Sequence, residues 1–500
     1  MPAPVKGWNT LDSIAEMESD YAVILENYIP TSSSVDLRKG STDHVTGIVG
    51  KVETLVAYNN GTSSKLFAAI TDKIYNVTSS GTVGAAVVTG KTNGKWQCTN
   101  FATTGGQYLY MFNGADSPML YDGTTWTAIT GVSVPAITGV TTNKLISPCV
   151  FQNRLWMVEK DSMRVWYLSS GAIGGAANVL DLSSIFGRGG YVMSMGDWTI
   201  DSGSGVDDYA VFITSEGEVA VYRGTDPSSA STWALVGIYY VGAPVGRRCM
   251  SKFASDLLMI NQDGLQLMSA ALSSSRAYIS NSVNDKIEPT ITESVSNYGL
   301  NFGFEILVSA KENILLINIP TSATTSFQLV MNTITKGWCK FTGWNATTFE
   351  ILDDTIYFGT DNGVKKCFYG TSDSGDAING QCLQAFNKMG SNNIKHFKMA
   401  RPIIATDQPN IGIYLSLNVD YDVSTPTGVP TFTSFTTTTW GSGIWGSSIW
   451  GTSTRSIRKD WQTAGGLGST GALYLKTKTT TSQITWASTD YVYEVGNAYF

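Results

Sequence analysis

Seven times along this chain an apolar run, rich in β-branched and aromatic residues, meets a short polar turn and then a second such run. The pairs are Lys65–Ile70 with Ile74–Val77, Tyr108–Phe112 with Pro118–Tyr121, Arg154–Val158 with Arg164–Leu168, and Tyr209–Ile213 with Glu218–Tyr222. Leu257–Ile260 with Leu265–Leu267, Ile314–Ile319 with Phe327–Val330, and Thr355–Phe358 with Val364–Phe368 complete the series. Asn113-Gly114, Glu216-Gly217, Asp263-Gly264 and Asn362-Gly363 mark turns where positive φ is wanted. The units recur at roughly 41 to 57 residues. One such hairpin cannot bury both of its faces, whereas stacking several radially does so and protects the sheet edges. The pattern predicts an all-β chain with a β-propeller of six or seven blades over residues 51–371. A row of β-sandwich domains is the alternative.

The repeats stop near residue 371, and the Gly/Ser/Asp-rich stretch Gly370–Asp376 reads as a linker. Strand-like runs at Pro402–Ala405, Ile411–Val419, Leu473–Thr477, Gln483–Trp486 and Tyr491–Glu494 then predict a second β region over 372–500. It is expected to form a β-sandwich-like platform that the N-terminal segment, residues 1–50, joins. Helix is sparse: residues 11–27 fit a 3.6 period loosely, and 281–297 could hold a short helix limited by Pro289.

Charge and residue usage exclude several classes. The 500 residues carry 33 Lys+Arg against 40 Asp+Glu, a net charge of −7, and charged residues are 15% of the chain. Hydrophobics at 42% give ample material to bury, so this is no charge-driven disordered chain. A polybasic nucleic-acid coat is excluded, because duplex binding needs Lys and Arg to displace counterions. No apolar run of membrane-spanning length occurs, and the start Met1–Trp8 lacks a charged leader followed by an apolar stretch. The six cysteines, at 98, 149, 249, 339, 367 and 382, are scattered and read as reduced thiols made in a cytoplasm. His44 and His396 are the two histidines, which weighs against serine or cysteine nucleophile chemistry and against zinc. The expectation is a protein that is not an enzyme and carries no cofactor.

Individual motifs point the same way. Gly466-x-Gly468-x-x-Gly471 has the spacing of a dinucleotide cradle but precedes a strand pattern where a helix is needed. Asp122-Gly123 is a near miss for an Asp-box and reads as a tight hairpin turn. The carboxylates at Asp201, Asp207 and Asp208, and at Asp353 and Asp354, lack EF-hand alternation and read as solvated loop charges. Asn60, Asn76 and Asn345 begin glycosylation sequons in form and read as polar turns. Two basic clusters, Lys395 with His396, Lys398 and Arg401, and Arg455 with Arg458 and Lys459, are candidate interface or DNA-proximal positions. Trp440, Trp445 and Trp450 repeat every five residues; they could stack bases or sugars, or pin a loop or subunit contact by burying indoles.

Three segments together resemble the propeller-bearing tail hub or nozzle proteins of short-tailed bacteriophages, the packaged-DNA stabilisation proteins. Met17–Pro30 followed by Val35–Gly40 is similar to their opening, in which Tyr-Ala, Asn-aromatic-x-Pro and Leu-Arg-x-Gly precede the first blade. Leu66–Val77 and Leu120–Trp126 resemble their early blades, and Ile484–Gly496 their ending. The resemblance implies a structural virion protein, made in the host bacterial cytoplasm and located in the tail. It implies a ring, typically a hexamer, that extends the DNA channel below the portal and adaptor and helps retain and then release the genome. Implied partners are other copies of the chain, head-to-tail adaptor proteins, tail fibre or tailspike proteins, and genomic double-stranded DNA passing without sequence specificity. The alternative function is a carbohydrate-binding or glycan-cleaving β-propeller of a phage fibre.

Overall fold

The computed structural model describes residues 1–201, 206–273, 284–407, 411–430, 456–458 and 460–496. Each predicted hairpin becomes the second and third strands of a blade. An inner strand precedes each: Thr54–Asn59, Gln97–Thr103, Leu145–Phe151, Val192–Asp201, Met250–Phe253, Glu305–Ser309 and Phe349–Leu352. These seven strands touch one another in chain order, and Phe349–Leu352 returns against Thr54–Asn59, so the circle closes. The protein contains a seven-bladed β-propeller.

The cores lie between blades, where inward residues of adjacent sheets meet. Between the third and fourth blades Trp156, Tyr222 and Trp233 stack, with ring centroids 5.5 Å (156–233) and 5.3 Å (222–233) apart. The fifth blade has three described strands. Beside its last strand, Gly264–Leu267, packs the helix Glu288–Tyr298, which buries Ile291 and Val295. Pro289 sits in the first turn of that helix, where a missing N–H is tolerated, so it starts the helix rather than limiting it.

The seventh blade is completed by the N-terminal strand Ser41–Thr46, which pairs antiparallel with Gly363–Cys367. The expected boundary at residue 50 therefore shifts: residues 41–46 belong to the propeller, because an unpaired edge there would leave the wheel open. The expected helical period at 11–27 also gives way. Tyr21–Glu26 is a strand, held between Gly7–Trp8 and Ile378–Gln384.

The platform is a two-layer β-sandwich. One layer continues the sixth blade without a break: Trp338–Phe341 pairs in parallel with Gly7–Trp8, and the sheet runs on through Tyr21–Glu26, Ile378–Gln384 and Gly471–Thr479 to Gly412–Val419. The other contains Tyr28–Pro30, Val35–Leu37, Ile484–Val495 and Lys395–Thr406, which also pairs with Ser456–Arg458 and Gln462–Gly468. One hydrophobic cluster joins Tyr28, Leu475 and Trp486 of the platform to Phe341, Trp344 and Phe358 of the last two blades.

At this junction Arg38 is buried and spends all its donors. Nε donates to Asn27 Oδ1 (2.8 Å), Nη1 to Asp373 Oδ1 (3.0 Å) and the Lys39 carbonyl (3.1 Å), and Nη2 to Asp373 Oδ2 (2.6 Å) and the Thr342 carbonyl (3.0 Å). The guanidinium also lies over the Trp344 ring, 4.4 Å from its centroid. Burial would raise the Asp373 carboxyl, but the bonds from Arg38, Trp344 and Ser41 outweigh it and hold the group below its ordinary value. Asp373 belongs to the stretch read as a linker, which is thus pinned. Gly40 permits the approach, since a Cβ there would meet the Ser372 carbonyl oxygen at 1.9 Å.

Removing one partner of a buried ion pair strands the other charge. Arg38→Met should cost about 3–5 kcal/mol in urea unfolding, and adding Asp373→Asn should recover part of the loss. An unchanged midpoint in Arg38→Met would contradict this account.

Candidate functional site

The seven inner strands enclose an axial cavity of about 510 Å³. Its lining is polar and charged because inward side chains of short, converging strands must share a narrow space. Ser147 and Ser194 bond each other across neighbouring blades at 2.9 Å. Lys252 bonds Asp197. Cys98 and Cys149 also line it, and burial pushes both thiols far above their ordinary range, so neither supplies a thiolate.

Arg248 is the main connector. Its Nη2 donates to Thr54 Oγ1 (2.6 Å) and the Trp96 carbonyl (2.9 Å), and Nη1 donates to Thr348 Oγ1 (3.1 Å). Glu305 lies 3.7 Å from that guanidinium and accepts from Thr348 Oγ1 (3.0 Å) and the Phe349 amide (3.1 Å). Burial still dominates and raises the Glu305 carboxyl above its ordinary range. Glu350, from the next blade, is pushed up to about 7, chiefly by burial, with the Glu305 charge adding to it. A space of this size and character suits a small polar molecule and cannot admit a DNA duplex. Among the described residues no group of three or more His, Cys, Asp or Glu side chains is placed to hold a metal ion.

The sequence-derived candidates lie elsewhere, in the platform. Lys395 is wholly buried, and its ammonium donates to the carbonyls of Ser391 (2.6 Å), Asn393 (2.9 Å) and Ser469 (2.9 Å). Desolvation lowers its pKa. It is a clamp on three loop carbonyls and has no surface to offer a partner, which corrects its reading as an interface residue. Lys398 pairs with Glu494, and Arg401 with Asp490 (2.6 Å), both across the same strand pair. Arg401 also lies over the Trp461 ring at 4.6 Å. The first basic cluster is therefore neutralised by cross-strand carboxylates. Arg458 falls in the strand Ser456–Arg458; Trp440, Trp445, Trp450, Arg455 and Lys459 lie outside the described residues.

The remaining motifs are structural. Asp122 accepts from the amides and hydroxyls of Thr124 and Thr125, forming an Asx turn; burial is the largest single influence and would raise its pKa, but the four bonds together outweigh it and draw the pKa down. Gly466 and Gly468 lie in the strand Gln462–Gly468, and a Cβ at Gly471 would strike the Phe397 ring at 2.6 Å. Asp353 and Asp354 occupy positive-φ turn positions. The axial residues Arg248, Glu305 and Glu350 escaped sequence reading because their partners come from other blades, far away in sequence. The local signal was a glutamate inside an apolar run, as in Phe304–Ile306 and Phe349–Ile351.

No family model matches the chain, and neither does any curated protein. Among solved structures, BBS1N in complex with ARL6DN is similar at 13% identity, covering 66% of this chain and 96% of that one, with a TM-score of 0.40. The extracellular domain of the hybrid two-component system BT3049 of B. thetaiotaomicron is similar at 11% identity, covering 77% and 44%, with a TM-score of 0.42. Raptor of Chaetomium thermophilum is similar at 10% identity, covering 66% and 28%, with a TM-score of 0.41. At these scores the likenesses carry no argument, and the propeller assignment rests on this chain's own strand pairing.

Two outcomes check the site. A carboxyl whose folded pKa exceeds its unfolded value of about 4.3 stabilises most when protonated, so stability is lost as pH rises through about 7. Glu350→Gln should therefore raise stability near pH 8 by up to about 3 kcal/mol and leave it unchanged near pH 4, measured by urea midpoints. In the platform, Lys395→Met should cost about 1–3 kcal/mol by orphaning carbonyls, while Lys398→Gln and Arg401→Gln should each cost less than about 1 kcal/mol in the same assay.

Proposed function

We propose that this chain is a structural, non-enzymatic virion protein of a short phage tail, one subunit of a ring-shaped nozzle or hub. In this reading the ring extends the DNA channel below the portal and adaptor and helps retain and then release the genome. One observation carries the reading: the residues behind the family resemblance are the residues that tie the platform to the propeller. Asn27 and Arg38 bond each other, and Gly40 lets the chain pass the pinned Ser372–Asp373 segment. The motif thus marks an architecture in which N- and C-terminal segments build one platform on a wheel.

Because the axial cavity is too small for a duplex, the DNA channel in this reading runs between copies. Neutralised cations on the platform strands and a net charge of −7 per copy suit a wall along which DNA slides without being held. Adaptor proteins above and fibre or tailspike proteins beside the ring are the expected partners.

Native mass spectrometry and negative-stain imaging of the purified protein, alone and with the tail adaptor, should show a ring of about six copies with a central opening of duplex width. A monomer at high concentration that never enters a ring with adaptor present would overturn the proposal. A second reading, a carbohydrate-binding or glycan-cleaving fibre propeller, draws on Glu305 and Glu350 in the axial cavity. Hydrolysis of host-surface glycan that is lost in Glu350→Gln would favour it.

A further inference from the structure

We propose that one mouth of the propeller axis is a binding site for a small organic polyanion bearing phosphate or carboxylate groups. A second cavity, of about 430 Å³, opens there and shares Gln97, Arg247 and Arg248 with the axial cavity. That volume falls in the range of small-molecule sites. Four cations line it, Lys95, Lys160, Arg247 and Arg248, and no described carboxylate does.

The cations converge in two pairs. In one pair, a Cβ built on Gly114 would lie 3.3 Å from Lys160 Cδ and 3.5 Å from Arg247 Nη1, so both side chains crowd one bare backbone position held at φ +71°. In the other, Lys95 and Arg248 both lie over the Phe302 ring, 5.0 Å and 4.9 Å from its centroid. Arg248 has Glu305 beneath it as a counter-charge. Arg247 has one hydrogen bond, from Nη1 to the Asn113 carbonyl (3.2 Å), and no carboxylate within ion-pairing distance among the described residues. Burial disfavours its charged form, and Asp161 supports that charge more weakly from a distance.

A partly desolvated guanidinium without a counter-ion is costly, and a fork of unused donors beside an ammonium is the arrangement that takes a phosphate or carboxylate. Elsewhere the chain pairs comparable cations, as at Arg38, Arg401 and Lys398. Two cation pairs with Met193, Val245 and Leu300 in the same lining suit a small molecule that carries more than one anionic group. A recess of this size cannot admit the backbone of a duplex, so the ligand is a small molecule.

Isothermal titration calorimetry of the full chain at low ionic strength, with inorganic pyrophosphate in one arm and citrate in the other, tests the site. Saturable one-to-one binding of at least one probe is expected. It should weaken by about tenfold or more in Lys160→Gln and in Arg247→Gln, and be unchanged in Lys398→Gln. The arm that binds names the anionic group. Lys160→Gln changes a half-buried turn residue and keeps the test decisive if Arg247→Gln does not fold. No binding of either probe, full affinity in Lys160→Gln, or equal Lys160-dependent binding of a short DNA duplex at matched phosphate concentration would overturn the proposal.

Discussion

A single buried guanidinium holds this molecule's two parts in register. Taking Arg38 out of water is unfavourable unless every donor is met, and four separate stretches of chain supply the acceptors: Asn27, Lys39, Thr342 and Asp373. An apolar side chain could fill the same volume, but it would not demand those four positions together. The planar fork makes the N-terminal segment, the link between the last two blades and the 370–376 stretch mutually dependent. Asn27 extends this dependence by donating to the Asn379 carbonyl, in the platform strand Ile378–Gln384. The hydrophobic cluster beneath supplies the bulk of the attraction, and the ion pair sets where the pieces stop.

Around that junction the chain treats charge in two different ways. On the platform strands Lys398 and Arg401 face carboxylates across the ladder, and Lys395, fully buried, is wrapped in carbonyls. At the propeller axis the balance is uneven. Glu305 and Glu350 line the axial cavity, where burial raises both carboxyls, and four cations line the recess at one mouth.

The propeller was legible because the second and third strands of each blade are apolar runs that follow one another across a short polar link. The strands on either side of them were not. Inner strands such as Met250–Phe253 (MSKF) and Glu305–Ser309 (EILVS) show no regular alternation of polar and apolar residues, which weakens any local signal. The closing strand Ser41–Thr46 reads as STDHVT and gives no hint that its partner lies beyond residue 360. Tyr21–Glu26 fits a loose helical period, yet parallel and antiparallel neighbours on its two sides decide its state. The basic cluster at 395–401 failed as a surface for a similar reason: the carboxylates that silence it stand some ninety residues later in sequence, opposite it in the ladder. Arg247 and Arg248 carried no pattern at all, because the cavity walls around them are contributed by six other blades.

The way the wheel is latched also has a consequence for synthesis. Ser41–Thr46 leaves the ribosome early and must wait until Gly363–Cys367 has been made before it can dock. Until then the first and seventh blades cannot join, and a nascent chain exposes two open sheet ends for most of its translation. Such a protein gains its shape late and all at once, with contacts of very high sequence separation. In a crowded cell, neighbouring nascent copies on one message are a hazard to each other, and a strand as polar as STDHVT is a poor template for mispairing while it waits.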